Sequence, residues 1–277
     1  MRFAKYQGIG NDFVMIADPD DELRLTAETV RALCDRRFGI GGDGVIRLAP
    51  GREGGDFFMD YVNSDGSVGE MCGNGIRCLA VFAADEGLTS AAELQIETRA
   101  GLKTVWVDGE RIRVDMGRPF FKPSEVPVSW KGDDALHAKV ELEDEVVEAA
   151  CLGMGNPHAV LFVDDARSAP IRELGPLIER HAMFPSGANV EFVAVESARR
   201  IAMSVWERGS GQTMACGTGA CAAAVASRLL RDTEARVEVA MPGGELVVEW
   251  TGSIAAPETV YMTGPAVKTF EGDTSIS

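Results

Sequence analysis

The stretch MDYVNSDGSVGEMCGNG, from Met59 to Gly75, returns in altered form as MSVWERGSGQTMACGTG, from Met203 to Gly219, 144 positions further on. Met59 falls on Met203, Asn63 on Glu207, Cys72 on Cys216, Gly73 on Gly217 and Gly75 on Gly219. Two more blocks repeat in the same order at offsets of 144 to 146. GNDFV (Gly10–Val14) echoes GNPHAV (Gly155–Val160), and FGIGGD (Phe38–Asp43) echoes FPSGAN (Phe184–Asn189). Ordered blocks at nearly the same offset point to two similar halves. The first half is expected over residues 1–117, joined by the tail 265–277, and the second over 118–264. The second opens with a proline-rich linker that holds Pro119, Pro123 and Pro127.

Within each half the patterning is mixed. Alternating runs such as RIRVDM (Arg111–Met116) and RVEVAM (Arg236–Met241) read as half-buried strands. Helices are expected over Thr26–Arg37, Gly75–Glu86, Ile171–His181 and Thr218–Arg231. GIRCLAVFAADEG and GACAAAVASRLLRD are apolar or small nearly all round, the mark of a helix buried on most sides. The expected class is therefore α/β (α+β): two pseudo-two-fold halves, each a barrel-like sheet around a buried helix, with the active site in the cleft between them.

Cys72 and Cys216 each precede a CGxG turn and one of these helices. Free amides at a helix start form a positive end, which favours a thiolate and can bind a carboxylate. The glycines allow close approach to the backbone. Two such thiols facing one cleft suit a proton leaving one face of a carbon while another arrives on the opposite face. The amides would steady the enolate-like charge that develops. Cys34, Cys78, Cys151 and Cys221 read as small buried residues.

The totals narrow the classes. With 277 residues and 45% apolar content, two domains with real cores are possible. A net charge of −16 with no basic stripe argues against nucleic acid and anionic membranes as partners. No basic start followed by an apolar run opens the chain, and no run reaches membrane length, so a cytoplasmic location is expected. The pairs Cys72/Cys78 and Cys216/Cys221 lack zinc-knuckle spacing, and His137, His158 and His181 do not flank them, so no metal is expected.

At these residues the chain resembles the diaminopimelate epimerase family. GNDFV, FGIGGDG, NSDGS, MCGNGIRC, GNPHAV, NVEFV, WERGSGQTMACGTGACA and MTGP look like that family's blocks, in its order. The resemblance implies interconversion of LL- and meso-diaminopimelate, a step of lysine and peptidoglycan precursor synthesis, with no cofactor: neither pyridoxal phosphate nor metal. It implies Cys72 and Cys216 as the acid–base pair, and Gly73, Asn74, Gly217 and Thr218 as the residues that hold the reacting end. Asn11, Asn63, Asn156, Asn189, Glu207 and Arg208 would recognise the substrate, chiefly its distal amino-acid group. His158 would lie near the reacting centre, with Glu207, and assist proton movement. A homodimer is implied as well. Gly44 stands where many members carry Gln, and Ala188 where Thr is frequent, so no side-chain contact is carried over at Gly44.

The residue types agree with a substrate polar at both ends. Arg208 can fork onto a carboxylate and Glu207 can accept an ammonium, while asparagines donate and accept without titrating. Read alone, an Asn beside Gly is a turn residue, a Glu–Arg pair is solvated charge, and a single His is a core residue. Two other readings stand beside the epimerase: a proline or hydroxyproline racemase of the same two-cysteine kind, and a dithiol redox protein.

Overall fold

The computed structural model describes residues 1–276 of the chain, which divides into two compact units, Met1–Asp115 with Thr263–Ser277, and Met116–Met262. In the first unit β1 (Arg2–Gly8), β2 (Asn11–Ala17), α1 (Ala27–Cys34), β3 (Gly44–Pro50), β4 (Phe57–Asn63), α2 (Gly73–Asp85), β5 (Glu93–Thr98), β6 (Gly101–Asp108) and β7 (Arg111–Gly117) follow in order. In the second unit come β8 (Ala135–Glu141), β9 (Val146–Gly153), β10 (Pro157–Phe162), α3 (Ile171–Glu179), β11 (Asn189–Ser197), β12 (Arg200–Glu207) and β13 (Gly211–Thr213). They are followed by α4 (Gly217–Arg231), β14 (Arg236–Met241), β15 (Gly244–Glu249) and β16 (Val260–Gly264), the last two residues of which belong to the first unit. The tail forms β17 (Val267–Asp273), which pairs antiparallel with β1 of the first unit.

The two units repeat one pairing scheme. From β1 to β6 the pairs run antiparallel, parallel, antiparallel, parallel, antiparallel. From β9 through β10, β11, β12 and β14 to β15 the same alternation returns. Register repeats too: Phe13 lies opposite Gly44 and His158 opposite Asn189, while Val45 faces Val62 and Val190 faces Trp206. Gly10 and Gly155, just before the matched strands, both hold the left-handed backbone that favours glycine, at φ 85° and 89°.

In each unit the strands pack on a buried helix. α2 packs against β1, β2, β3, β6 and β17, and α4 against β9 to β12, β14 and β15. Ile76, Leu79 and Phe82 of α2 are enclosed, each worth about 1.5–3 kcal/mol of burial. α4 presents Ala220, Ala222, Ala223 and Ala226 instead, letting the strands approach closely. Neither sheet closes into a full barrel. The outer helices α1 and α3 cover the other faces, against β3 and β11 respectively. α1 ends at Cys34, short of the expected Arg37, because Asp35 Oδ1 takes the Arg37 and Phe38 amides at 2.7 and 2.8 Å and turns the chain outward. Among the described residues no helix is long and apolar enough to cross a membrane.

Candidate functional site: two cysteine-capped helices

Cys72 and Cys216 occupy the same place in their units, the residue that caps α2 and α4. Both have extended backbone, at φ −134° and −130°. The cap follows from the CGxG sequence. The cysteine stays outside the helix, and the first turn that follows it is built of small residues. The Gly75 amide donates to Cys72 Sγ at 3.4 Å. Cys216 Sγ lies 3.6 Å from the Thr218 hydroxyl.

Around Cys72 the structure gathers Asn11, Gly73 and Asn74. Asn11 Oδ1 accepts from Cys72 Sγ at 3.6 Å and from Asn74 Nδ2 at 3.3 Å. Its Nδ2 donates to Asp43 Oδ2 at 2.7 Å, and Asp43 is gripped by Arg36 at 2.9 Å. Asn74 is buried and accepts from Arg77 Nη2 at 3.0 Å, while Arg77 Nη1 donates to the Gly73 carbonyl at 3.0 Å. Arg36, Asp43 and Arg77 therefore hold candidate site residues without having been singled out in the sequence. Asp43 carried a signal, since it ends the FGIGGD block. Asn63 is engaged in its own turn, its Nδ2 on Ser67 Oγ at 3.0 Å.

Around Cys216 the structure gathers Gly217, Thr218, Glu207 and, behind them, His158 and Asn156. Glu207 ends β12, and its carboxylate accepts from the Thr213 hydroxyl. Burial, acting first, raises its carboxyl above the ordinary value, and the nearby Glu191 adds to this. His158 is wholly buried. Its Nε2 lies 2.8 Å from Asn156 Oδ1 and its Nδ1 2.7 Å from Glu191 Oε1. Asn189 is buried at the start of β11, donating to the Pro157 carbonyl at 3.3 Å and accepting the Arg208 amide at 3.0 Å. The exposed Arg208 guanidinium donates to the Ser186 carbonyl at 3.1 Å, leaving further donors for a ligand.

One expectation changes at Cys216. A helix start alone favours thiolate, yet the Cys216 thiol is pushed well above its ordinary value. Burial is the first cause, then the carboxylates of Glu207 and Glu191; the Thr218 hydroxyl and Gly219 amide work the other way and lose. In this state Cys216 holds its proton, as an acid would. Glu191, which sequence reading missed, is part of this environment.

The model of the family described as diaminopimelate epimerase matches residues 3–122 and again 150–269. A diaminopimelate epimerase of Leptospira biflexa is 45% identical over 100% of this chain and 99% of its own length. One of Desulfitobacterium hafniense is 46% identical over 98% and 97%. Among solved structures, a Bacillus anthracis protein of the PhzF phenazine-biosynthesis family superposes with a TM-score of 0.72 at 17% identity, over 100% of this chain and 99% of that one. A hydroxyproline epimerase of Agrobacterium vitis, with bound trans-4-hydroxy-L-proline, superposes with a TM-score of 0.70 at 15% identity, over 98% and 91%. These distant structures share the pseudo-symmetric fold. The chain belongs to the diaminopimelate epimerase family and is an isomerase of the amino-acid epimerase class.

Proposed function

We propose that the protein interconverts LL- and meso-2,6-diaminopimelate without pyridoxal phosphate, using Cys72 and Cys216 as the two proton-transfer groups. The observation that carries this reading is the recurrence of one device: a cysteine capping a buried helix through CGxG, once in each repeat. A stereocentre is inverted when a thiolate takes the α-proton from one face and a thiol delivers another to the opposite face, with roles exchanged for the opposite isomer. The first-turn amides after each cysteine suit the α-carboxylate and the charge that develops on it. Thr218 and Asn74 supply neutral polar contacts beside the two sulfurs.

Glu207 and Arg208 suit the ammonium and carboxylate of the distal amino acid, with Asn11, Asn63, Asn156 and Asn189 as neutral partners. Proline offers no distal group for them, and polar groups left unpaired in a closed site are costly. The family points to lysine and peptidoglycan precursor synthesis as the setting, in the cytoplasm and as a homodimer; sedimentation of the purified protein reads the last of these.

The test is solvent exchange. Reduced protein, free of pyridoxal phosphate and added metal, is incubated with LL-diaminopimelate in heavy water and followed by NMR. Deuterium should enter at an α-carbon as the meso isomer appears. A protein that turns over proline faster than diaminopimelate, or exchanges neither, would refute the assignment.

A further inference from the structure

The duplicated fold supplies its own control for the buried pair beneath Cys216. His158 and Glu191 lie on β10 and β11; by strand register their counterparts on β2 and β3 are Phe13 and Ile46. All four side chains are wholly buried. The helix starts above them are matched as well. A Cβ added at Gly75 would meet Ile46 Cδ1 at 2.6 Å, and one added at Gly219 would meet Glu191 Oε1 at 2.7 Å. The same strands, register and helix cap are thus built over an apolar pair in one unit and over a histidine–carboxylate pair in the other. The fold does not need the polar pair.

Nor is the polar pair cheap. Among the described residues Glu191 Oε2 is buried with no hydrogen-bond partner, and an unmatched buried oxygen is destabilising. A catalytic role is one reason such a group is kept. The groups around the carboxylate are His158 on β10, Cys151 on β9, Glu207 on β12 and Cys216 at the start of α4.

We propose that Glu191 is a positioning residue for the epimerisation: its Oε1 holds His158 by Nδ1, fixing the ring so that Nε2–H points to Asn156 Oδ1. This rests on the function proposed above. In the proposed arrangement Nε2 donates to Asn156 Oδ1, 2.8 Å away, and a second proton is held between Nδ1 and Glu191 Oε1, 2.7 Å apart. His158 is then a fixed donor rather than a base, and the half that holds Cys216 differs in kind from the half that holds Cys72. Gly219 has a purpose beyond room for substrate: only glycine lets the first turn of α4 sit on the Glu191 carboxylate.

The chain has three histidines, so imidazole N–H protons of nitrogen-labelled protein are readily assigned. A proton held between Nδ1 and a buried carboxylate should appear far downfield of the amides, and should vanish in Glu191→Gln. In the same variant kcat should fall about 10- to 100-fold in both directions, with KM for diaminopimelate within about twofold. The double variant His158→Phe with Glu191→Ile transplants the apolar pair of the first unit and should fold with an unchanged or higher Tm. The proposal is overturned if the wild-type spectrum lacks that proton, if Glu191→Gln keeps it, or if folded Glu191→Gln retains wild-type kcat. Were the wild type inactive on diaminopimelate, the proposed function would fall and the spectrum alone would decide the place of Glu191.

Discussion

Replacing Gly219 and Gly75 with alanine, one at a time, separates the two matched helix starts. Alanine favours a helix over glycine by up to about 1 kcal/mol, and overpacking costs about 1–3 kcal/mol. At Gly75 the new methyl meets Ile46 Cδ1 at 2.6 Å and Met59 Cε at 2.9 Å, both far ends of flexible side chains. Those ends can swing away, so gain and cost should nearly cancel. At Gly219 the methyl meets Glu191 Oε1 at 2.7 Å and Cys216 Sγ at 3.3 Å. Glu191 cannot swing without breaking its 2.7 Å bond to His158. The expected difference is about 2 kcal/mol, or about 4–8 °C in Tm for a unit of this size. Calorimetry reads the stability and the exchange assay reads turnover. Gly75→Ala should melt near the wild type, whereas Gly219→Ala should melt lower and turn over more slowly, because its thiol is displaced. Equal Tm values and equal rates would refute the claim that the carboxylate is pinned beneath α4.

Two further perturbations probe charged groups in the two units. Burial works to raise the Asp12 carboxyl, but its bonds to Arg36 and Lys5 outweigh that and hold it at about 2. The depressed folded value means that its stabilisation is complete above the unfolded value and lost as pH falls from about 3.8 to about 2. Asp12→Asn should therefore cost about 2 kcal/mol at pH 7 and flatten that acid limb in a pH series of denaturation curves. Burial and then the Glu207 carboxylate raise the Cys216 thiol. Glu207→Gln removes one negative neighbour, so thiolate becomes easier to form and alkylation of Cys216 at pH 8 should quicken about 3- to 10-fold. Peptide mapping resolves Cys216 from Cys34, Cys78 and Cys151, which burial pushes up to about 11, 12 and 12 and which should stay slow.

The duplication and the two helix starts were legible because they are local. CGxG ahead of an all-round apolar run specifies a cap and a buried helix without tertiary information. β14 was read to the residue, since RVEVAM alternates and its burial alternates with it. β11 shows why other residues were not legible. Its first six residues, Asn189–Ala194, are all buried because α4 and α3 pack against it. A strand covered on both faces loses period-two contrast, so the burial of Glu191 does not show in the pattern of NVEFV. The signal present was the charge itself, a lone acid amid apolar residues. Arg77 was hidden in the same way inside α2. Asn63, placed among the recognition residues, also donates to Ser67 Oγ within the NSDGS turn.

The most direct test of the two-thiol account is the α-proton exchange rate of Cys72→Ala and of Cys216→Ala, each confirmed folded, with both LL- and meso-diaminopimelate in heavy water. Both substitutions should lower epimerisation at least about 1000-fold, since each removes one of two obligatory proton carriers. If either variant inverted its substrate at near the wild-type rate, that sulfur would be no part of the proton path, and the matched helix caps would be a relic of duplication.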